Sequence, residues 1–271
     1  MLVDYHVHLR GPDERIDHTV AAAERFVAAA AERGVDEVGF AEHIYYFEQT
    51  RPLWTQTYHL ERCVHDLDRY VEAVLAAKER GLPVKLGVEA DYFPAIEDEL
   101  AAMLARYPFD YVLGSVHYVD GLAVDQEPGL VEELGPEEAW RRYFAWLRDA
   151  ARSRLFDSLS HPDLVKHHGP RPEDGAVAPL HGGTADELAA AGVCVEVSSA
   201  GLRKPVGEVY PDASLLAECG RRGVPLTLAS DAHVPADLGR GLDRAVAHAR
   251  TAGYETVTVF DGRRRRQEPL P

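Results

Sequence analysis

Basic side chains are in short supply: 29 Lys and Arg stand against 45 Asp and Glu, a formal charge of -16 over 271 residues. That balance argues against DNA or RNA as a partner, since a long polyphosphate needs a cationic face. It leaves room for a small phosphate ester, because multivalent cations held inside would offset part of the charge. Cysteine is scarcer still. Cys63, Cys194 and Cys219 are odd in number and widely spaced, so reduced thiols in a cytoplasmic protein are expected rather than a disulfide framework. No apolar run approaches the roughly 18 residues of a membrane span. The amino terminus lacks a basic-then-apolar secretion signal, and a first strand expected from Leu2 leaves no room for a removable leader. The one basic run, Arg263 to Arg266, lies close to the carboxyl terminus and is expected to be a solvated tail, residues 263–271.

The remaining 1–262 alternate short β-rich runs with longer helical ones. Strands are predicted at Leu2–Val7, Glu37–Glu42, Val84–Ala90, Tyr111–His117, Leu155–Ser160, Val193–Ser198, Pro225–Ser230 and Glu255–Phe260. Helices are predicted near 17–33, 58–80, 95–106, 136–153, 184–191, 212–222 and 236–251. Gly34, Gly81, Gly192, Gly223 and Gly253 fall where helices should end. Pro136 before Glu137 and Glu138 reads as a helix start. Repeated β-α units of this length imply a parallel sheet closed into one α/β barrel domain. Three connections are longer than a barrel needs: Ile44–Thr57, Tyr118–Gly135 and Pro162–Gly183. All follow the carboxyl end of a strand, where barrel enzymes build their sites.

The strand ends carry the chemistry. Met1-Leu-Val-Asp-Tyr-His-Val-His8 closes on His6 and His8, which an extended chain presents on one face. The second strand ends at His43, the third at Glu89 and Asp91, the fourth at His117, the fifth at His161 and the seventh at Asp231 and His233. Any one of these alone reads as an ordinary core or surface residue. Together they exceed the three or four protein ligands of a single catalytic zinc and suit a multinuclear site of Zn, Fe or Mn. Two metals about 3.5–4 Å apart need a bridge, a task for a carboxylate rather than an imidazole, and Glu89 is the expected bridge. The other histidines, His18, His59, His65, His167, His168, His181 and His248, are expected to be solvated or capping.

These motifs resemble those of the polymerase and histidinol phosphatase (PHP) superfamily, and within it the monofunctional histidinol-phosphate phosphatase branch. The resemblance is carried by Asp4-Tyr-His-Val-His8, Ala41-Glu-His43, Gly87-Val-Glu89, Gly114-Ser-Val-His-Tyr118, Ser160-His-Pro-Asp163, Ser198-Ser-Ala-Gly-Leu-Arg-Lys-Pro-Val-Gly-Glu-Val-Tyr-Pro211 and Ser230-Asp-Ala-His233. It implies a distorted TIM-like (β/α)7 barrel holding two or three divalent metals. The first would take His6, His8, Glu89 and Asp231, and the second Glu89, His117 and His161. The third would take His43 and His233 with one ligand from the loop after His8. That loop lacks the histidine common in the family. It offers Glu14 or Asp13, with His18 further on.

The activity the resemblance implies is hydrolysis of L-histidinol phosphate, a step of histidine biosynthesis. Metals would lower the pKa of a bridging water towards about 7 and neutralise charge growing on the phosphoryl oxygens. Arg203, and secondarily Lys204, would contact the phosphate. Asp231, His233 or a metal-bound water would serve the leaving oxygen, and Tyr118, Glu208, Trp54 and Tyr45 would line the amine and imidazole end. The alternatives are a PHP-type phosphoesterase for a nucleotide, sugar phosphate or phosphotyrosine, an amidohydrolase-like metallohydrolase, and a metal-binding module without activity. The amidohydrolase class uses a carbamylated lysine as bridge, and here Lys85 falls early in its strand while Glu89 takes the end.

Overall fold

In the computed structural model, which describes residues 1–11, 13, 15–126 and 129–271, seven parallel strands lie side by side in chain order. They are β1 (Val3–Val7), β2 (Glu37–His43), β3 (Val84–Asp91), β4 (Tyr111–Ser115), β5 (Ser158–Leu159), β6 (Cys194–Ser198) and β7 (Leu226–Ala229). Their apolar content suits strands covered on both faces, and β1, β4, β6 and β7 are buried along their whole length. Parallel neighbours need a crossover, and helices supply each one. These are α1 (Val20–Glu32), α2 (Thr57–Arg62) with α3 (Leu67–Glu79), α4 (Glu97–Leu104), α5 (Leu130–Leu134) with α6 (Pro136–Ser153), α7 (Asp174–Ala191) and α8 (Ala213–Arg221), with α9 (Leu242–Thr251) after β7. Thr19, Asp66 and Asp212 cap α1, α3 and α8 through their side-chain oxygens. The five glycines expected at helix ends all take positive φ.

β1 returns to β7 just beyond the ladder. Val7 bridges Ala232, the His8 N–H donates to the Ala232 carbonyl at 2.8 Å, and the Ala232 N–H to the His6 carbonyl at 3.1 Å. The barrel is thereby nearly closed, and the closing contact lies among His6, His8, Asp231 and His233. Asp4 reinforces it, accepting from the Ser230 and Gly239 backbone N–H groups and the Ser230 hydroxyl.

At the opposite end the lumen is filled by aromatic rings. Tyr111 lies 5.2 Å from Tyr5 and 5.6 Å from Phe260 between ring centroids, and its hydroxyl donates to the Tyr5 carbonyl. The ring fits only because β2 and β3 carry glycine there: a Cβ on Gly87 would sit 2.3 Å from Tyr111 Cζ, and one on Gly39 2.3 Å from its hydroxyl.

Several segments differ from the sequence expectation. The helix predicted over 58–80 is two helices, because Val64 and His65 turn back to donate to the Tyr46 carbonyl. The helix expected from 184 begins at Asp174, shortening the third long loop. Gly175, Pro179, Gly182 and Gly183 weaken that stretch as a helix, but packing against α6 and α8 overrides propensity. The basic tail is instead a strand: β8 (Thr256–Asp261) and β9 (Arg264–Pro269) form an antiparallel hairpin. Gly262 and Arg263 both take positive φ, as a tight two-residue hairpin turn requires. Val257, Val259 and Phe260 are buried, while Arg264, Arg265 and Arg266 face solvent. The eighth predicted strand therefore closes the floor from outside the barrel sheet. Among the described residues no helix is long and apolar enough to cross a membrane, and all three cysteines are free and buried.

Candidate active site

The six ligand-bearing strand ends meet around one buried carboxylate. Glu89 Oε2 lies 2.7 Å from His43 Nδ1, 3.2 Å from His6 Nε2 and 3.7 Å from His8 Nε2. Its Oε1 lies 3.2 Å from His161 Nε2 and 3.6 Å from His117 Nε2. Asp231 Oδ1 completes the ring at 3.4 Å from His8 Nε2 and 3.8 Å from His6 Nε2. Four groups among the described residues have ligand atoms within 4.8 Å of one another: His6, His8 and Asp231; His6, Glu89 and His161; His43, Glu89 and His117; His8, His43 and His233. His6 Nε2, His8 Nε2 and Glu89 Oε2 are buried without a hydrogen-bond partner. Buried polar atoms are almost always satisfied, and a cation at this point would satisfy all three. The donor set of imidazoles and carboxylates fits a divalent metal such as zinc.

Behind the imidazoles stands a second set of carboxylates. Glu196 Oε2 lies 3.0 Å from His6 Nδ1, Asp91 Oδ1 2.5 Å from His117 Nδ1, and Glu42 Oε2 3.6 Å from His8 Nδ1. Carboxylates so placed fix the tautomer and ring orientation of a metal-binding histidine. Ser115 donates to Glu89 Oε1 at 2.5 Å and pairs with Ser160 at 2.7 Å. Two residues of the ring carry unusual backbones: His161 has φ 27° and Asp231 φ 52°. Positive φ is uncommon in non-glycine residues, though Asp and His are among those that adopt it most readily.

The electrostatics follow from this crowding. Burial would raise the Glu89 carboxyl, but the imidazoles of His43, His6 and His117 outweigh it and hold it well below the usual range. Burial would lower His6, and Glu89, Glu196 and Asp231 instead raise it. Against the same burial, Asp91 and Glu89 push His117 up to about 10. His233 is half-exposed, yet desolvation at the crowded mouth and the neighbouring His8 imidazole lower it to about 3.

The loop after β1 does not close on this ring where it is described. Asp13 is exposed and pairs with Arg15 at 3.5 Å. The His18 side chain is largely covered, but its Nε2 lies 3.7 Å from Glu42 Oε1, outside the four groups. Glu14 lies outside the described residues. The third member beside His43 and His233 is His8, whose ring centroid is 4.1 Å from that of His233 and 4.6 Å from that of His43.

A cavity of about 220 Å³ opens over the ring. Glu89, His43, His117, His161, Asp231 and His233 form its floor; Tyr45, Tyr118, Asp125 and Lys204 are among its walls. Arg203 is not among the lining residues. Its Nη2 donates to the Ser230 carbonyl at 2.6 Å, and its Nη1 is left without a partner. Glu208 lines a different surface depression and pairs with Arg171 and, at 3.5 Å, Lys166. Trp54 is buried, its indole N–H bonded to Thr50. Lys85 lies at the start of β3, paired with Asp261 at 3.0 Å, away from Glu89.

A profile of the PHP domain matches residues 4–200. The chain belongs to the PHP domain family. The "probable histidinol-phosphatase" of Deinococcus radiodurans is 32% identical, with 99% of each chain covered. The histidinol-phosphatase of Bacillus subtilis is 24% identical, with 79% of this chain and 88% of the relative covered. Among solved structures, a histidinol phosphate phosphatase from Lactococcus lactis in complex with zinc, L-histidinol and phosphate matches with a TM-score of 0.75 at 21% identity, covering 98% of each chain. At that identity the likeness is one of fold.

Sequence reasoning on this PHP barrel passed over Glu196, Glu42 and Asp125, and gave Asp91 no role. Glu196 had a signal: an acid inside an otherwise uncharged buried strand, Cys194-Val-Glu-Val-Ser198. The expectation that the remaining histidines are solvated or capping fails for some of them. His59 and His181 are buried, and His59 Nε2 sits 3.3 Å from Asp91.

Proposed function

We propose that this PHP domain is a divalent-metal phosphomonoesterase that hydrolyses L-histidinol phosphate to L-histidinol and phosphate. The convergence of strand-end imidazoles on Glu89 beneath a polar cavity carries the reading. The family membership and full-length relatives named as histidinol-phosphatases support the substrate. Three free buried cysteines fit a reducing, cytoplasmic setting.

His6, His8, Glu89 and Asp231 would hold one metal, Glu89, His117 and His161 a second, and His43 and His233 a third with His8 or a loop residue such as Glu14. Bound there, the metals would lower the pKa of a coordinated water and neutralise phosphoryl charge. The chain's own groups do the rest. Lys204 in the cavity wall offers a point charge to a phosphate oxygen, and Arg203 offers the unpartnered Nη1 of a guanidinium fixed by the Ser230 carbonyl. Asp231 and His233 line the floor and are held unprotonated by their surroundings, so they would serve as ligands, and the proton that the leaving alkoxide oxygen must take would come from water in the cavity. The aromatic wall of Tyr45 and Tyr118 suits an imidazole face, and Asp125 suits an ammonium.

The test is phosphate release from L-histidinol phosphate beside a nucleotide monophosphate, a sugar phosphate and phosphotyrosine, by zinc-, iron- or manganese-loaded protein. A kcat/KM for L-histidinol phosphate at least 100-fold above the others supports the assignment. Even activity across the panel demotes the protein to a general phosphoesterase, and no release from any ester refutes the phosphatase reading.

A further inference from the structure

Among the described residues, β6 is the one barrel strand with no member of the four potential metal-binding groups either in it or just after its carboxyl end, yet it carries a fully buried carboxylate, Glu196. Burying a carboxylate is costly unless both oxygens are satisfied. Glu196 meets that condition with two partners from different parts of the barrel. Oε2 lies 3.0 Å from His6 Nδ1, and Oε1 accepts the His161 backbone N–H at 3.0 Å. His6 belongs to β1, which does not neighbour β6 in the sheet, and His161 follows β5, which does. His161 is also one of the two ring residues with a left-handed backbone.

We propose that Glu196 is a positioning residue that sets two metal ligands at once; this rests on the reading of His6 and His161 as ligands given above. An ionised carboxylate only accepts hydrogen bonds, so His6 must carry its proton on Nδ1. The lone pair of Nε2 then faces Glu89, 3.2 Å away, and Asp231, 3.8 Å away. The second oxygen holds the His161 amide, and with it a backbone turn that would otherwise relax and withdraw the His161 ring, now 3.2 Å from Glu89. One side chain thus couples the first and fifth strand ends, and β6 contributes geometry where the other strands contribute ligands.

Glu196→Gln and Glu196→Ala test this. Glutamine keeps the size and can accept from the His161 N–H, but its amide then donates towards His6 Nδ1 and favours the tautomer with the proton on Nε2. Zinc affinity, measured by competition with a chelating dye, should fall roughly 10- to 100-fold in the glutamine variant and at least as far in the alanine variant. The melting temperature of the metal-free glutamine variant should stay near that of the wild type. In zinc-loaded wild-type protein, long-range 15N–1H correlation spectra should show His6 protonated on Nδ1. A glutamine variant with wild-type zinc affinity, or a wild-type His6 protonated on Nε2, would overturn the proposal; the second result needs no variant to fold. Wild-type protein that binds no zinc would overturn the metal reading on which the proposal stands.

Discussion

Replacing Glu89 with glutamine keeps the volume and removes one negative charge from the centre of five imidazoles. In the wild type, each of its oxygens faces a different set: Oε2 faces His43, His6 and His8 within 3.7 Å, and Oε1 faces His161 and His117 within 3.6 Å. A bridging ligand lost from both sides should weaken both metals together. Removing one partner of a fully buried charge pair costs about 3–5 kcal/mol, and about 1.4 kcal/mol corresponds to a factor of ten. Metal affinity should therefore fall by roughly two to three and a half orders of magnitude. The assay is metal content per chain after gel filtration, with calorimetric titration of zinc into chelator-treated protein. Phosphate release should fall in parallel at limiting zinc and recover in part at high zinc. A Glu89→Gln protein that keeps wild-type zinc stoichiometry and affinity would refute the bridging role.

Other consequences follow from the floor, the wall and the phosphate end. Gly87→Ala would drive a Cβ to 2.3 Å from Tyr111 Cζ; overpacking on that scale costs about 3 kcal/mol. Its melting temperature should drop by roughly 6–12 °C for a chain of this size, and an unchanged value would contradict the packing. Burial holds His167 down at about 4, below the ordinary value near 6.5. As pH falls from about 6.5 to about 4 the unfolded chain takes up a proton that the folded one does not. Stability of the metal-free protein should therefore decline across that window by at most about 3 kcal/mol. Urea midpoints at pH 7.5 and 5 should show the loss in the wild type and a smaller one in His167→Gln. Lys204→Ala should cut kcat/KM for the phosphate ester about 10- to 100-fold, the worth of a charged hydrogen bond, and an intact value would remove Lys204 from the phosphate end.

The barrel was legible because its strands are buried on both faces and its helices end at glycines. The site was legible because a strand with period two must place His6 and His8 on one side, and because parallel strands deliver all their carboxyl ends to one mouth. Other features depend on contacts between distant residues that a single chain does not display. Arg263 to Arg266 read as a solvated run because their side chains are exposed, while pairing with Thr256–Asp261 is made by the backbone. Helix α7 starts ten residues early because α6 and α8 pack on a stretch whose glycines argue against it. The grouping of His8 with His43 and His233 depends on ring positions set by barrel closure. Glu196 stood unremarked inside its strand and Asp91 stood at a strand end without a role, and which imidazoles they hold is a property of the closed barrel.

The most direct measurement is anomalous diffraction at the zinc edge from crystals grown with zinc and phosphate. The account predicts at least two peaks about 2.0–2.3 Å from their ligand atoms, one among His6, His8, Glu89 and Asp231 and one among Glu89, His117 and His161, with phosphate over them in the cavity. Zinc located away from Glu89, or a single ion that leaves His117 and His161 without a metal, would contradict it.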